Sequence, residues 1–318
     1  MRRAIGVDLG GSHVTAGIVG EDGRIEGQHE LDLADLAFPA VIEALVAVVG
    51  KAVAAAGKPV AIGIGSPGNI EPESGTVLYS PNLGWENAPL GSTLSKRFKI
   101  PVLVANDARC ATLGEYAFGT GRDTRDFVLL TIGTGIGGGI VAGGELLRGN
   151  RYGAGEFGHM QIRPEGGFVC GCGKVGCFEA QASGMGLIRH AFAVAASFPR
   201  SPLLDVPREN LSSKKIRKAA QAGNPHALAA WKNFASDLAL GLANVISAVN
   251  PQRIALGGGV SSAGEFMLDA VRARVDELTT MVPRGTTEIV IAKLGNDAGQ
   301  VGAAMMAFRG GLIASPLP

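Results

Sequence analysis

Short apolar runs that end in glycine or proline alternate with longer amphipathic stretches along most of the chain. The short runs predict buried strands, and apolar residues at intervals of three and four predict helices. Such alternation of strand and helix is typical of an α/β protein. Strands are predicted at 4–9, 12–19, 24–30, 60–64, 102–105, 127–132, 140–147, 253–256 and 288–292. Helices are predicted at 38–56, 89–98, 107–118, 184–198, 212–222, 224–249, 262–280 and 297–309, with a turn-rich segment at 69–88.

The pattern contains a weak internal repeat. The strand 4–9 turns at Gly10 and Gly11 into a second strand, and 127–132 runs through a longer glycine-rich turn into 140–147. Each half therefore opens with a strand, a glycine turn and a returning strand. This repeat predicts two similar α/β domains with a cleft between them. The predicted division is a small domain at 1–118, a large domain at 119–296, and a C-terminal helix at about 297–318 that packs back on the small domain.

The composition is that of a packed globular protein. The 318 residues are 46% hydrophobic and 18% charged, and a chain of this length has room for two domains. The 29 Lys and Arg residues nearly balance the 28 Asp and Glu residues, which gives no electrostatic basis for binding nucleic acid or an anionic membrane. The most apolar helix, 38–56, carries Glu43 and Lys51 and is expected to fall short of a membrane span. No signal peptide is visible, so we expect a cytoplasmic protein.

Three of the four cysteines lie in one short segment. Cys170, Cys172 and Cys177 follow His159 by 11 to 18 positions, and glycines that would permit positive φ separate them. Taken singly, such residues are more often buried thiols and a core histidine. Together, three thiolates and one imidazole fill the four positions of a tetrahedral structural zinc. The spacing therefore predicts zinc, and this use of cysteine points to a reducing compartment.

Two glycine-rich turns are candidates for phosphate binding. The pattern Gly-x-Gly-x-x-Gly occurs at 63–68 and 133–138, but neither copy is followed by the helix that a dinucleotide site requires. A strand–turn–strand loop instead lets backbone N–H groups approach phosphate closely. Either turn alone is better explained as a tight hairpin, whereas the pair predicts a site for the phosphates of ATP. The residues are Gly10, Gly11 and Ser12 in the first loop, and Gly133, Thr134 and Gly135 in the second.

Two aspartates lie at the ends of predicted strands, where ligand sites of α/β proteins occur. Asp107 opens a helix, so it is either a helix N-cap or a base that accepts the proton of an attacking hydroxyl, and its position favours neither. Asp8 precedes the first glycine pair and suits Mg²⁺ held through water. Gly257, Gly258 and Gly259 would admit a flat group such as adenine or pack a strand against a helix, and both interpretations stay open.

The motifs resemble those of the bacterial ROK-family sugar kinases, within the actin/hexokinase/Hsp70-like superfamily, and the family's glucokinases most of all. The resemblance implies an α/β, two-domain actin/hexokinase-like (ribonuclease H-like) fold with a cleft between the domains. It also implies ATP, Mg²⁺ and a structural zinc, with phosphorylation of the 6-hydroxyl of a hexose. The matching segments, in the family's order, are 8–12, 65–68, 82–85, 106–108, 133–139, 156–159, 170–179 and 257–260.

The resemblance also implies roles for single residues. Asp107 would deprotonate the sugar hydroxyl, and His159 would serve both zinc and sugar. Glucose is the expected substrate; N-acetylmannosamine, N-acetylglucosamine, allose and fructose are alternatives, as is a sugar sensor without activity. Family enzymes usually form dimers or tetramers. Ser12 and His13 replace the family's more usual Thr and Lys, which weakens any phosphate contact from position 13. The remaining implied sugar ligands are Gly68, Asn82, Asn106, Glu156 and Glu179.

Overall fold

Two five-stranded sheets and a three-stranded sheet carry the fold of residues 1–311, the part of the chain that the computed structural model describes. The strands are β1 Arg3–Leu9, β2 His13–Gly20, β3 Ile25–Asp32, β4 Ile62–Ser66, β5 Asn69–Glu71, β6 Thr76–Ser80, β7 Trp85–Ala88, β8 Val102–Asn106, β9 Phe127–Ile132, β10 Ile136–Ala142, β11 Glu145–Leu146, β12 Arg253–Gly257 and β13 Glu288–Ile291. The helices are α1 Phe38–Ala56, α2 Leu90–Phe98, α3 Asp107–Phe118, α4 Phe178–Ala182, α5 Gly184–Val194, α6 Ser213–Gln221, α7 Pro225–Val249, α8 Glu265–Leu278 and α9 Ala298–Arg309.

The first sheet has the strand order β3-β2-β1-β4-β8. β1 pairs antiparallel with β2, as the predicted strand–turn–strand unit requires, and parallel with β4, which pairs parallel with β8. The register places Asp8 opposite Gly65, and Ser66 opposite Asn106. The carboxyl ends of three parallel strands therefore meet at one edge, and Asp8 and Asn106 lie along it. The second sheet has the order β11-β10-β9-β12-β13.

The chain divides into two compact units. The first contains Met1–Leu129, Gly139–Ala154 and the segment from Lys293 onward; the second contains Leu130–Gly138 and Gly155–Ala292.

Helix α9 closes the first unit against β1 and β4. A Cβ added at Gly63 would overlap the backbone carbonyl of Ala303, and one added at Gly6 would overlap that of Gln300. The Gln300 side chain donates from Nε2 to the Gly6 carbonyl over 3.1 Å and accepts from Gln28 Nε2 over 2.8 Å. The helix therefore lies directly on the sheet because glycine leaves room for it. The part of its predicted extent beyond residue 311 lies outside the described residues.

Two predicted elements need correction, and one helix was not predicted. Residues 69–88 contain the three antiparallel strands β5, β6 and β7 rather than turns alone. β10 begins at Ile136 rather than at residue 140, because its glycines are part of the strand. A Cβ at Gly139 would overlap the Thr112 hydroxyl, so this glycine allows close packing against α3. Helix α4 was not predicted.

Helix α1 has the predicted bounds, but it is more apolar than expected. Its 19 residues are long and apolar enough, by length and composition, to cross a membrane, so the expectation that it falls short was wrong on those criteria. Its apolar face is buried in the core of the first sheet, as the core helix of a globular unit would be. The buried residues are Val41, Leu45, Val48, Val49, Ala52 and Ala56.

Candidate active site and zinc centre

The predicted zinc ligands come together in the second unit. The ligand atoms of His159, Cys170, Cys172 and Cys177 all lie within 4.8 Å of one another. The Cys170 Sγ to His159 Nδ1 distance is 3.8 Å and the Cys172 Sγ to Cys177 Sγ distance is 3.6 Å. Zn–S bonds of about 2.3 Å and Zn–N bonds of about 2.0 Å place tetrahedral ligand atoms about 3.5–3.8 Å apart. The four residues therefore fit zinc, with Nδ1 as the histidine ligand and Nε2 left for another partner.

The thiols of this cluster differ in acidity. A backbone N–H from Lys174 is the largest influence that lowers the pKa of Cys172, to about 7. Burial, followed by hydrogen bonds with the neighbouring thiols, raises the pKa of Cys177 to about 12. One thiolate therefore forms readily, and the others need a cation beside them, because metal binding displaces the thiol protons.

The zinc segment, residues 156–179, contains a short hairpin shaped by its glycines. Val169 forms an isolated β-bridge with Val175, and Cys170 N–H donates to the Lys174 carbonyl over 2.8 Å. Gly173 and Gly176 have the expected positive φ, at 86° and 76°, whereas the expectation of positive φ was wrong at the glycine in position 171.

Glu179 joins the zinc segment to the second glycine loop. It lies in the first turn of α4, and its Oε2 accepts the Ile136 N–H over 2.9 Å. Its Oε1 lies 3.8 Å from Cys170 Sγ. Gly133, in the same loop, accepts a 2.8 Å hydrogen bond from Gly184 N–H. The sequence carried no signal of these contacts, because residues 43 positions apart make the first of them.

A buried aspartate holds the zinc segment to the helices of its unit. Asp237, on α7, is 1% exposed and its Oδ1 accepts from Arg163 Nε. Its Oδ2 lies 3.2 Å from His190 Nε2 on α5, and the same nitrogen lies 3.1 Å from the Gln181 carbonyl. Two acceptors around one nitrogen indicate that Nε2 carries the proton. No pattern in the sequence indicates this network, because its members come from separate elements.

In the first unit, Asn106 rather than Asp107 caps helix α3. Asn106 Oδ1 accepts the Arg109 N–H over 3.2 Å, and its Nδ2 donates to the Gly68 carbonyl over 3.1 Å. Asp107 Oδ1 accepts from the adjacent Ala108 N–H over 2.8 Å. The capping role is therefore filled by Asn106, and Asp107 is half-buried at the carboxyl end of β8.

Asp8 and Asp107 form a carboxylate pair. Burial, with a smaller contribution from the negative charge of Asp107, raises the pKa of Asp8 from 3.8 to about 6, and His13 partly opposes the shift. Two carboxylates whose charges repel are a favourable setting for a divalent cation, since the cation removes both the repulsion and the desolvation cost.

The remaining predicted nucleotide residues lie in turns. Gly10 N–H donates to the His13 carbonyl over 2.9 Å, which closes the first loop around Gly11 and Ser12. Ser12 Oγ lies 3.1 Å from His13 Nδ1, so the imidazole contacts the hydroxyl that was expected to face phosphate. In the second loop Thr134 is exposed.

The sequence left two interpretations of the third glycine run: close packing of a strand against a helix, or a site for a flat ligand. Different glycines of the run fit each of them. Gly258 has φ of 82°, and an added Cβ would lie 2.6 Å from the Ile132 carbonyl oxygen on β9, so this glycine allows close packing. At Gly259 an added Cβ would contact nothing, which leaves its exposed backbone open to a ligand. Gly257 ends strand β12 and is buried.

The predicted sugar residues lie in both units. Gly68 has φ of 110°, and a Cβ there would overlap the Tyr79 carbonyl, so only glycine fits beside Asn106. Asn82 is exposed in the turn between β6 and β7, and Glu156 is exposed just before a short 3-10 turn that ends at His159.

Each five-stranded sheet contains a strand–glycine–strand unit, and the first also has an aspartate at the end of a parallel strand. These features define an α/β protein of the actin- and hexokinase-like class. A solved ROK family glucokinase from Streptomyces griseus, in complex with glucose and AMPPNP, is similar to the chain with a TM-score of 0.85 and 38% identity. The similarity covers 96% of this chain and 99% of that one. The protein belongs to the ROK family, which matches residues 4–309.

Relatives within the family have more than one substrate. Glucokinase of Streptomyces coelicolor is 38% identical over 96% of this chain and 98% of its own length. N-acetylmannosamine kinase of Escherichia fergusonii is 33% identical over 95% of this chain and 97% of its own length.

Proposed function

We propose that this chain is an ATP-dependent glucokinase that phosphorylates the 6-hydroxyl of glucose. The observation that carries the proposal is the placement of Asp107 at the carboxyl end of β8, with helix capping supplied by Asn106. A carboxylate in that position is able to accept the proton of a sugar hydroxyl as the oxygen attacks the γ-phosphorus. The similarity to glucokinases along almost the whole chain supports glucose as the acceptor.

ATP would be held by the glycine loops through backbone N–H groups, which approach phosphate closely where no Cβ intervenes. Asp8 and Asp107 would hold Mg²⁺ through its water ligands, and the ion would neutralise charge on the transferring phosphate. Zinc at His159, Cys170, Cys172 and Cys177 would be structural, because these residues fill all four positions and leave none for water.

Sugar recognition would use side chains with unequal hydrogen-bonding capacity. Asn106 uses one N–H for Gly68 and one lone pair of Oδ1 for Arg109, so its second N–H and second lone pair would face the sugar. His159 would offer Nε2, since Nδ1 belongs to the metal cluster. Glu156, Glu179 and Asn82 would complete the set of groups that bind the other hydroxyls.

A second candidate substrate is N-acetylmannosamine, favoured by the similarity to the kinase of that name. We also propose that the enzyme acts in the cytoplasm, where thiols stay reduced, and that it forms a homodimer or homotetramer.

The test is turnover of ATP with a panel of hexoses and N-acetylhexosamines, measured with a coupled assay for ADP. We expect the highest kcat/KM with glucose and none with glucose that lacks the 6-hydroxyl. Higher kcat/KM with N-acetylmannosamine would replace glucose by the second candidate. No turnover with any sugar of the panel would refute the proposal, and light scattering would decide the oligomeric state.

A further inference from the structure

We infer that Glu179 is a positioning residue that transmits the geometry of the zinc centre to the second glycine loop. The inference deepens the proposed function, on which it rests for the role of this loop in nucleotide binding. Zinc would then govern affinity for ATP as well as the sugar side of the site.

The loop end of this connection is a single hydrogen bond in a defined place. Gly133 N–H donates to the Gly135 carbonyl over 2.9 Å and closes the turn. The next N–H, that of Ile136, points to Glu179 Oε2 over 2.9 Å. A carboxylate that accepts a backbone N–H makes one of the stronger hydrogen bonds in proteins, so this contact fixes where the loop ends and β10 begins.

The zinc end of the connection is equally constrained. Glu179 is two residues after Cys177, and Phe178 between them is fully buried with its N–H donating to the Met160 carbonyl over 2.7 Å. Glu179 Oε1 lies 3.8 Å from Cys170 Sγ. Ligation of Cys170 and Cys177 therefore fixes the chain on which the carboxylate is carried.

Close packing leaves little freedom for either partner. A Cβ added at Gly135 would overlap Glu179 Oε2, and one added at Gly158 would overlap the Ile136 carbonyl. The zinc segment and the loop thus fit together only with glycine at both positions. The second carboxylate oxygen, Oε1, has no part in the bond to the loop and lies beside Cys170 Sγ.

The first experiment compares Glu179→Ala with Glu179→Gln. The glutamine carbonyl keeps an acceptor for Ile136, whereas alanine removes it. We expect Glu179→Ala to bind Mg–AMPPNP without sugar roughly tenfold more weakly by calorimetry, because the nucleotide must then order a loop that this hydrogen bond holds in wild type. Glu179→Gln should recover most of this affinity while glucose binding stays weakened. Equal AMPPNP affinity in wild type and Glu179→Ala would overturn the inference.

Hydrogen exchange separates this inference from the proposed function. The Ile136 amide should exchange faster in Glu179→Ala and at close to the wild-type rate in Glu179→Gln. Unchanged exchange in both variants would overturn the connection even in an active enzyme. Absence of turnover with every sugar, together with faster exchange, would refute the proposed function and leave the connection standing.

Two glycine substitutions provide a second test if Glu179→Ala loses zinc or folds poorly. Gly135→Ala forces the loop away from the carboxylate with all zinc ligands intact, and should weaken AMPPNP binding several-fold. Gly171→Ala is the matched control, because its Cβ would contact nothing in the same zinc segment. Equal AMPPNP affinities for these two variants would contradict the inference. Zinc removed by a chelator, with the chelator itself removed before Mg²⁺ is added, should weaken AMPPNP binding in wild type and add little in Glu179→Ala.

Discussion

Asn106 and Asp107 are adjacent, and each has a side chain able to cap a helix. The amide of Asn106 makes the capping bond to Arg109, and Asp107, which accepts from the Ala108 N–H, is the residue that we propose as the base. Here the Arg109 N–H is satisfied by a neutral amide, whereas a base must be able to gain a proton. We therefore expect a structural role for Asn106 in helix α3 and a catalytic role for Asp107.

Asp107→Asn should lower kcat by roughly 10²–10⁴-fold, the range for loss of a general base. The isosteric amide leaves packing unchanged, so glucose affinity and the thermal midpoint should stay near those of wild type. Steady-state kinetics and glucose calorimetry are the measurements. Asp269→Asn, at an exposed position of α8, is the control for loss of one negative charge and should be fully active. Wild-type kcat in Asp107→Asn would exclude the base role.

The raised pKa of Asp8 makes stability depend on pH in a defined window. Below about pH 4 the carboxyl is protonated in both states; between about 4 and 6 the folded state keeps a proton that the unfolded state loses. The free energy of unfolding should therefore fall as pH rises through this window, by about 2–3 kcal/mol from this group.

Urea unfolding at several pH values, without Mg²⁺, measures this contribution. Asp8→Asn should remove it, so that the difference between variant and wild type grows from pH 4 to 6 and then levels off. Saturating Mg²⁺ should reduce the fall in wild type, because a cation stabilises the carboxylate. A difference that is constant with pH would show that Asp8 titrates normally.

The contact between α9 and α3 depends on glycine in the same way as that between α9 and the sheet. A Cβ at Gly302 would overlap the Cys110 carbonyl of α3, and backbone on both sides has little room to move. Small residues at such a contact bring helix axes closer than ordinary side chains allow.

Gly302→Ala should therefore lower the free energy of unfolding by at least about 2 kcal/mol, as overpacking of a tight core contact does. The matched control is Gly50→Ala in α1, where the nearest atom to the added Cβ is 4.0 Å away. There the higher helix propensity of alanine should stabilise the protein by about 0.5–1 kcal/mol. Chemical denaturation measures both, and equal effects would contradict the close contact of α9 with α3.

Periodicity predicted the elements whose structure is decided locally. Helix α1 and helix α3 begin and end as predicted, because proline, glycine and a capping residue mark their ends. The strands of 69–88 were missed because they are only three to five residues long and rich in turn residues. Gly139 was assigned to a turn, because the sequence does not show that a Cβ at this position would overlap Thr112, which is distant along the chain.

The zinc ligands were predictable because all four lie in one short segment, where their residue types and spacing match a known zinc site. The contacts that tie this segment to its surroundings were not, since Ile136, Asp237 and His190 come from other elements and carry no motif. The sequence also could not decide whether Asp107 caps helix α3. It shows two adjacent residues able to cap, and only the structure shows which one makes the capping bond.

Zinc should contribute to the stability of the second unit, which contains all four residues of the metal cluster. Metal analysis should give one zinc per chain, and Cys172→Ser should lower the thermal midpoint, because the energy of metal binding is folding energy. Cys110→Ser tests a cysteine outside the cluster and should leave the zinc content unchanged. A stoichiometry near zero in protein purified without chelators would contradict the assignment.

The placement of α9 on β1 also has a consequence for biosynthesis. Gln300 and Gly6 are 294 residues apart, so at 5–20 residues per second β1 leaves the ribosome roughly 15–60 s before the helix that covers it. Ala4, Val19 and Ala61 share a buried cluster with Ala304 and Ala307 of that helix. Until α9 has been synthesised, this small apolar surface has no cover, and we expect the nascent first sheet to bind a chaperone.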